Sequence, residues 1–163
     1  MFETDDFYFF YKHEFGQWTL KNITDCHGIT YNCCEQYMMF QKAMLFNDRV
    51  MAESILLEKN PFGQQQLGRK VKGYHQATWD SFKYQIVWNG NWLKFTQHEC
   101  LRDRILATGG KELVEASLVD KVWGIGLGLD SPDLTNKEKW VGRNLLGKSL
   151  MSVRFSLRQL DEV

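Results

Sequence analysis

The chain has 163 residues, of which 44% are hydrophobic, 14% aromatic and 25% charged, which excludes a disordered, collagen-like or coiled-coil protein. A chain of this length can bury a substantial core without disulfide or metal staples. Twenty Lys and Arg balance twenty Asp and Glu, so the sequence lacks the basic excess of a protein that grips a long phosphate backbone, and any nucleic-acid contact must be local.

The N-terminal part of the chain is predicted to hold two short strands and one helix. Residues 7–11 are aromatic throughout, as in a buried strand, and residues 29–31 indicate a second one. Apolar residues then recur at helical spacing over residues 37–46. Asn32 is the predicted N-cap of this helix, with Glu35 three residues on in the manner of a capping box.

The middle of the chain is predicted to be helical. Residues 51–57 and 64–70 indicate two short helices on either side of Pro61, which fits a turn or a first helical position. A longer helix follows, with Thr78 as its cap and the sequence Asn-Gly-Asn at residues 89–91 weakening its middle.

The C-terminal part is predicted to form a helix at residues 99–107, a strand at residues 113–116 and a final helix at residues 144–157. The expected fold class is therefore α+β, mostly α-helical with a few short strands. Neither proline lies in a Pro/Gly/Ser-rich linker and no repeat is present. We therefore expect one domain over residues 1–163.

Glu35 and Lys42 are the first candidate pair for chemistry. Their seven-residue spacing places them within about 20° of each other on one helix face. Apolar neighbours such as Tyr37 and Phe40 predict that the pair is partly desolvated, which favours perturbed pKa values. The structural alternative is that Glu35 completes a capping box and that Lys42 extends its alkyl chain over apolar surface.

Two glycine-containing segments are also candidates. In residues 123–128, Trp-Gly-Ile-Gly-Leu-Gly, glycine lets the backbone approach a ligand and Trp123 can stack on a ring, but the pattern G-x-G-x-x-G is incomplete. A tight turn beside the core is the alternative. Residues 142–149 match G-x-x-x-x-G-K-S, yet charged residues precede them where an apolar strand is required, so we reject a P-loop.

Cysteine usage and the N-terminal residues bear on the compartment. The four cysteines show no C-x-x-C spacing, and Cys33 and Cys34 are adjacent, so we expect reduced thiols. No apolar stretch approaches the roughly 18 residues of a membrane span, and acidic residues near the start do not fit a signal peptide. We expect a cytoplasmic, intracellular protein with no membrane partner. His and Cys show no zinc-ligand spacing, and we expect neither a metal nor another cofactor.

Taken in order, these segments resemble the NADAR (YbiA-like) family over nearly the whole chain. The resemblance rests on Gln17-Trp18, Thr30-Tyr31-Asn32, Glu35-Gln36-Tyr37, Lys42, Leu67-Gly68-Arg69, Trp79, Lys94-Phe95, the segment 113–117, Asp120, the segment 123–127, Gly142, Asn144 and Leu146-Gly147. It implies a YbiA-like domain and an N-glycosidase that removes ADP-ribose from modified guanine bases or hydrolyses early riboflavin-pathway intermediates. It also implies functional pairing with an ADP-ribosyltransferase.

The residues that the family uses near its site match Glu35, Trp79 and Asp120 here. N-glycoside cleavage passes through an oxocarbenium-like state, which carboxylates near the anomeric carbon stabilise, so Glu35 and Asp120 are candidate catalytic residues. Lys42 is a candidate nucleophile that would open the ribose to a Schiff base while Glu35 moves protons.

Substrate binding is expected to use a different set of side chains. Arg69 suits a diphosphate because its guanidinium binds oxygens in pairs, and Trp18 or Trp123 can stack on a ring, with core packing as the alternative for each tryptophan. The expected substrate-binding residues are Trp18, Arg69, Trp79, Trp123, Gly124 and Asn144.

Three functions follow from this set of residues. The leading hypothesis is an N-glycosidase for ADP-ribosylated guanine in DNA or in a nucleotide. The second is an N-glycosidase for aminated ribose phosphates of riboflavin biosynthesis. The third is a non-catalytic module that binds ADP-ribose or a nucleotide, in which Glu35 is only a helix cap and Lys42 only a phosphate contact.

Overall fold

The computed structural model describes residues 1–161. In chain order its elements are β1 (Phe2–Glu3), β2 (Phe7–Phe10), β3 (Ile23–Thr24), β4 (Thr30–Tyr31), α1 (Cys34–Leu45), α2 (Arg49–Leu57), α3 (Pro61–Gly68), α4 (Gln76–Gln97), α5 (Glu99–Ala107), β5 (Glu112–Glu115), a short 3-10 helix (Lys137–Lys139) and α6 (Leu145–Asp161). The α+β, mostly helical fold class is confirmed.

Contacts divide the chain into two compact units. Unit 1 comprises residues 1–16 together with the chain from His98 onward, and unit 2 comprises residues 17–97. The short strands are divided between the units. Unit 1 contains β1, β2 and β5, and unit 2 contains β3 and β4. The expected single domain over residues 1–163 stays a prediction.

Unit 1 is built around a three-stranded sheet in the order β1-β2-β5. The aromatic strand β2 lies parallel to β5, with Phe7 beside Glu112 and Phe10 beside Glu115. Phe9 and Val114 are fully buried, because both faces of this strand pair are covered and aromatic and β-branched side chains fill such a site well. The predicted strand at residues 7–11 is confirmed except at its last residue, which is exposed.

Helix α6 packs directly against β5. A Cβ atom at Gly147 would collide with the backbone oxygen of Leu113, so glycine is needed for the close approach of helix and strand. Further along α6, Arg154 donates hydrogen bonds to Thr108 Oγ1 and to the backbone oxygen of Lys111. The G-K-S sequence therefore begins a helix that packs on a sheet.

In unit 2, α1 is the central helix and contacts α2, α3 and α4. Residues 34–40 of α1 are all buried, as expected for a helix with neighbours on several sides. Helix α4 is helical throughout its 22 residues, including the segment 89–91 that the sequence marked as weak. A Cβ atom at Gly90 would lie 2.8 Å from the Tyr37 ring, so this glycine permits the contact with α1.

The start of α1 differs from the prediction, because Asn32 is not its N-cap. The N-cap is Cys33, whose side chain makes no capping hydrogen bond. Gln36 lies three residues after that position, and its Oε1 accepts a hydrogen bond from the backbone N–H of Asn32 at 2.7 Å. The Asn32 side chain instead donates to the backbone oxygen of Lys59. Gln36 thus makes the side-chain hydrogen bond to the backbone N–H that the predicted capping box gave to Glu35.

Two other helix starts were also predicted wrongly. Helix α3 begins at Pro61, which confirms the first helical position as one of the two predicted alternatives for this proline, but the predicted start at residue 64 is wrong. Asn60 precedes it, and the Asn60 side chain accepts a hydrogen bond from the N–H of Phe62. Helix α4 begins at Gln76, two residues before the expected cap Thr78. Within residues 1–161, no helix combines the length and the apolar character needed to cross a membrane.

Candidate functional site

The candidate site in unit 2 is centred on Lys42, near the end of α1. Its amine is half-buried, and this burial lowers the pKa of Lys42 below the ordinary value of a lysine. The carboxylate of Glu35 acts in the opposite direction and raises the pKa, whereas the positive charge of Arg69 lowers it. The predicted desolvation of Lys42 is thus present, and the charge of Glu35 acts on its amine.

Two aromatic rings flank the Lys42 amine. Its Nζ atom lies 4.6 Å from the centre of the Tyr74 ring and 5.3 Å from the centre of the Trp79 ring. Trp79 is buried in α4, whereas Tyr74 belongs to the exposed loop between α3 and α4. Aromatic faces attract cations, most strongly where water is excluded. The amine therefore occupies a partly dry, ring-lined position, in which the rings attract the ammonium ion but burial still lowers the pKa of Lys42 overall.

Arg69 lies at the C-cap of α3, and its side chain is exposed. Because the positive charge of Arg69 lowers the pKa of Lys42, the guanidinium lies near the amine. It is also exposed and therefore accessible to a ligand. Lys70 and Lys72 follow in the same loop and are also exposed. This loop gives a protein of zero formal charge a local basic segment suited to phosphate oxygens.

Trp18 lies at another edge of unit 2. Its ring is partly buried and meets the ring of Phe62 edge to face, with 6.4 Å between the ring centres. Phe62 is itself exposed at the start of α3. Trp18 therefore has an aromatic packing partner, and its role in substrate binding stays a prediction.

A buried polar cluster lies behind Glu35, where α1 meets α4. Glu35 is 6% exposed and its backbone N–H donates to the backbone oxygen of Gln17. The side chain of Asn91 donates to Gln17 Oε1, and the Cys34 thiol lies 3.5 Å from the backbone oxygen of Gly90. Burial raises the pKa of Cys34 to about 11, which makes this thiol unreactive.

In unit 1, Asp120 holds a turn. Its Oδ1 accepts hydrogen bonds from the backbone N–H groups of Val122 and Trp123, at 2.9 and 2.8 Å. The backbone N–H of Asp120 donates to Ser117 Oγ at 3.1 Å. Its other oxygen, Oδ2, accepts none of the hydrogen bonds found within residues 1–161. One oxygen of Asp120 thus has a structural role, and the catalytic role of this residue stays a prediction.

Gly124 and Asn144 also have structural roles in unit 1. A Cβ atom at Gly124 would lie 2.9 Å from the backbone oxygens of Asp120 and Glu115. Asn144 Oδ1 accepts from the N–H of Glu115 and its Nδ2 donates to the backbone oxygen of Leu113, at 3.1 and 2.9 Å. Both ends of the Asn144 amide are therefore bonded to β5, and substrate binding by either residue stays a prediction.

Comparison with known proteins gives the family of this chain. The model of the NADAR domain matches residues 3–158. The chain belongs to the NADAR family. It is 40% identical over 164 residues to N-glycosidase R617 of Acanthamoeba polyphaga mimivirus, with 93% of this chain and 96% of that protein covered. The resemblance drawn from the ordered motifs is confirmed.

A second NADAR relative supports the fold as well. N-glycosidase YbiA of Escherichia coli strain K12 is 31% identical over 143 residues, which cover 88% of this chain and 78% of that protein. The NMR structure of the E. coli protein YbiA is similar to this chain, with a TM-score of 0.79 and 28% identity over 98% of this chain and 89% of that one.

The residues predicted for this NADAR chain fall in both units. Glu35, Lys42, Arg69 and Trp79 lie together around one amine in unit 2, as their contacts and charges show. Asp120, Trp123, Gly124 and Asn144 belong to unit 1, and Trp18 belongs to unit 2. The catalytic and substrate-binding roles of these residues stay predictions.

Sequence reasoning missed Tyr74. This residue follows Gly73, which has a positive φ of 71°, in a loop with no helical or strand periodicity. Its nearness to Lys42 arises from tertiary structure, since the two residues lie in different elements. The only available signal was an aromatic residue beside a glycine turn and a basic segment, which is weak evidence on its own.

Proposed function

We propose that this protein hydrolyses the N-glycosidic bond between ADP-ribose and a guanine base in nucleic acid or in a nucleotide. The chain is a hydrolase that acts on N-glycosyl bonds, the class to which the names of its viral and bacterial relatives refer. The finer substrate assignment is supported by one observation above all. A half-buried amine with a lowered pKa lies beside a buried carboxylate, two rings and an exposed guanidinium.

The first step of the proposed reaction uses Lys42 as the nucleophile. The neutral amine forms a bond to the anomeric carbon C1′ while the bond from C1′ to the guanine nitrogen breaks, and the base leaves with a proton supplied by the acid form of Glu35. The lowered pKa of Lys42 increases the fraction of neutral amine at physiological pH. Burial of the amine thus favours the chemical form that attacks.

The second step opens the sugar and releases it. The nitrogen of Lys42, now bonded to C1′, first passes its extra proton to the Glu35 carboxylate. The bond from C1′ to the ring oxygen then breaks, that oxygen takes the proton from Glu35, and an iminium ion forms between C1′ and Lys42. The rings of Tyr74 and Trp79 would stabilise this cation. Water then adds to C1′ as Glu35 takes its proton, and Glu35 passes this proton to the Lys42 nitrogen. The bond from C1′ to that nitrogen breaks while the new hydroxyl gives its proton to Glu35, so that ADP-ribose is released and the free amine is regenerated.

The remaining residues of the proposal bind the substrate or stabilise charge. Arg69 would bind the diphosphate through paired hydrogen bonds. The free oxygen of Asp120 would stabilise positive charge on the sugar, and Trp123 would stack on a ring. In a cell, such an enzyme would reverse the product of an ADP-ribosyltransferase, which is the functional partner that we propose.

Product analysis tests the proposal against its alternatives. The protein is incubated with ADP-ribosylated guanosine, and in parallel with an aminated ribose phosphate, and the products are separated by chromatography. We expect unmodified guanosine and ADP-ribose in equal amounts from the first substrate. Hydrolysis of the ribose phosphate alone would favour the riboflavin-related activity, and binding without products would favour a non-catalytic module.

A further inference from the structure

Asp48 lies between α1 and α2 and is hydrogen-bonded to both helices and to the loop between α3 and α4. Its backbone N–H donates to the backbone oxygen of Ala43 in α1 at 2.8 Å. One carboxylate oxygen, Oδ1, accepts from the N–H of Met51 and caps α2. The other oxygen, Oδ2, accepts from the backbone N–H of Lys72 in the loop at 2.8 Å. Asp48 thus connects the end of the helix that bears Lys42 to this loop.

The backbone turns sharply after α1 and brings Asp48 to this position. Asn47 has a positive φ of 57°, a conformation that asparagine tolerates better than most residues. The N–H of Asn47 donates to the backbone oxygen of Met44 at 3.0 Å. These bonds fix Asp48 relative to the last turn of α1, which is the turn that contains Lys42.

Further contacts hold the same loop against the end of α1. The ring of Phe46, the C-cap residue of α1, lies 5.4 Å from the Tyr74 ring, measured between the ring centres. A Cβ atom at Gly73 would lie 3.5 Å from the backbone oxygen of Phe46, so the loop backbone passes close to this turn. Lys72 directly precedes Gly73, and its bond to Asp48 therefore fixes the middle of the loop.

Helix capping alone does not explain both oxygens of Asp48. Serine, threonine and asparagine also cap helices well, and each offers a single side-chain oxygen. The second oxygen of Asp48 is used by the loop, and the hydrogen bond from the N–H of Lys72 lowers the pKa of the Asp48 carboxyl. Asp48 is therefore ionised at physiological pH, and a backbone N–H binds a carboxylate more strongly than a neutral oxygen.

We propose that Asp48 is a positioning residue, whose second carboxylate oxygen holds the loop so that Tyr74 stays beside the Lys42 amine and Arg69 stays at the substrate. This inference rests on the proposed function. A loop without this bond takes several positions and must be ordered each time that substrate binds, which lowers affinity. Asp48 acts through the backbone of Lys72 and not through a contact of its own with the substrate.

Two substitutions separate the helix cap from the bond to the loop. Asp48→Ser keeps an oxygen that can cap α2 and loses the bond to Lys72, whereas Asp48→Ala loses both. We expect Asp48→Ser to unfold near the urea midpoint of the wild type and Asp48→Ala to unfold at a lower concentration. Hydrogen exchange of the Lys72 amide, measured by NMR, should become about tenfold faster in both variants. Unchanged exchange at Lys72 would overturn the inference.

Kinetics with ADP-ribosylated guanosine distinguish positioning from stability. Asp48→Ser and Asp48→Ala should both raise KM by about fivefold and change kcat less, although only the alanine variant is destabilised. Asn60→Ala is the matched control, since Asn60 caps α3 through the N–H of Phe62, and it should lower the urea midpoint at a KM near that of the wild type. A normal KM in Asp48→Ser, or an equal rise in Asn60→Ala, would overturn the inference.

A double variant tests whether Asp48 acts through the loop. Arg69→Ala raises KM by itself, so adding Asp48→Ser to it should raise KM further by less than Asp48→Ser does in the wild type, because the guanidinium is no longer there to be positioned. Independent, multiplying effects would overturn the inference.

Acylation of the Lys42 amine tests the positioning without turnover. Loss of the bond to the loop should expose the amine and move its acylation curve to higher pH, because burial and the charge of Arg69 both lower the pKa of Lys42. An unmoved curve in Asp48→Ser would overturn the inference. Wild-type protein that is inactive on ADP-ribosylated guanosine, with the expected changes in exchange and acylation, would count against the proposed function alone.

Discussion

The amine of Lys42 lies 4.6 Å from the centre of the Tyr74 ring, so the end of α1 is joined to the loop between α3 and α4. The same loop begins with Arg69, whose charge acts on the amine. Because the loop is exposed, it can move or be displaced by a ligand more easily than the buried helices around it. The predicted nucleophile thus has a rigid side, formed by Trp79 on α4, and an open side at Tyr74.

Substitution of Lys42 should separate charge from nucleophilicity. Lys42→Ala and Lys42→Arg should both lose more than about 100-fold in kcat, because a guanidinium does not deprotonate and cannot form an imine. Borohydride added during turnover should fix an ADP-ribose adduct on α1 of the wild type, detected by intact mass and peptide mapping, and on neither variant. Near-normal turnover by Lys42→Arg would instead indicate direct attack by water with help from a carboxylate.

The pH dependence of Lys42 reactivity should follow the charges around it. Acylation of its amine by a small anhydride, measured by peptide mass, should rise with pH and level off below the ordinary lysine pKa of about 10.4. Glu35→Gln removes an anion that raises the pKa of Lys42, so the curve should move to lower pH. Arg69→Ala removes a cation that lowers this pKa, so the curve should move to higher pH. Shifts in the reverse directions would contradict the geometry of the site.

Arg69→Ala should weaken binding more than it slows chemistry. Contacts to a diphosphate are made in both the ground state and the transition state, so their loss raises KM and affects kcat less. We expect a rise in KM of about 10-fold for ADP-ribosylated guanosine, as for loss of one charged hydrogen-bonding group. Lys70→Ala, at the next exposed position, is the matched control and should have a smaller effect. A collapsed kcat with an unchanged KM would refute this role.

Two substitutions at Asp120 should distinguish its structural role in the turn from a catalytic role of its negative charge. Asp120→Asn keeps an oxygen that accepts from the N–H groups of Val122 and Trp123, so the thermal midpoint should stay close to that of the wild type. Asp120→Ala removes these bonds and should lower the unfolding free energy by about 1–2 kcal/mol. If the carboxylate stabilises charge on the sugar, Asp120→Asn should lower kcat at least tenfold. Full activity of the asparagine variant would assign Asp120 to the turn alone.

Gly147→Ala should destabilise unit 1. The new Cβ would collide with the backbone oxygen of Leu113. Because this oxygen belongs to the backbone, it cannot move aside as the end of a flexible side chain could, so the expected loss in unfolding free energy is about 1–3 kcal/mol. Gly109→Ala is a useful comparison, because no atom lies near its Cβ position although its φ is positive. Urea unfolding measures both. An unaffected Gly147→Ala would show that α6 can move away from β5.

The sequence predicted most elements but few of their ends. Aromatic runs and helical spacing are local signals, and they located β2, α1 and α5. The side chain of Gln36 also donates to the backbone oxygens of Ile55 and Glu58, which are far from it in sequence. A local capping motif that favours Glu35 therefore does not predict that Gln36 pairs with the backbone of Asn32. The parallel pairing of β2 with β5 joins residues far apart in sequence, and no periodicity specifies such a partner.

The same distinction applies to the candidate site. Glu35 and Lys42 share one helix face, so their spacing was sufficient to predict their electrostatic contact. Tyr74 belongs to another part of the chain, and only tertiary packing brings its ring close to Lys42. Residue type alone also does not predict that one oxygen of Asp120 accepts hydrogen bonds from the backbone.

The pairing of Phe7 with Glu112 has a consequence for synthesis on the ribosome. The whole of unit 2 leaves the exit tunnel before β5 does, so unit 2 can complete its own contacts first, while one edge of β2 stays unpaired. An aromatic strand with an open edge is prone to pair with other chains. A stalled or prematurely terminated nascent chain should therefore aggregate through its first residues, even when everything from residue 17 to residue 97 is already native.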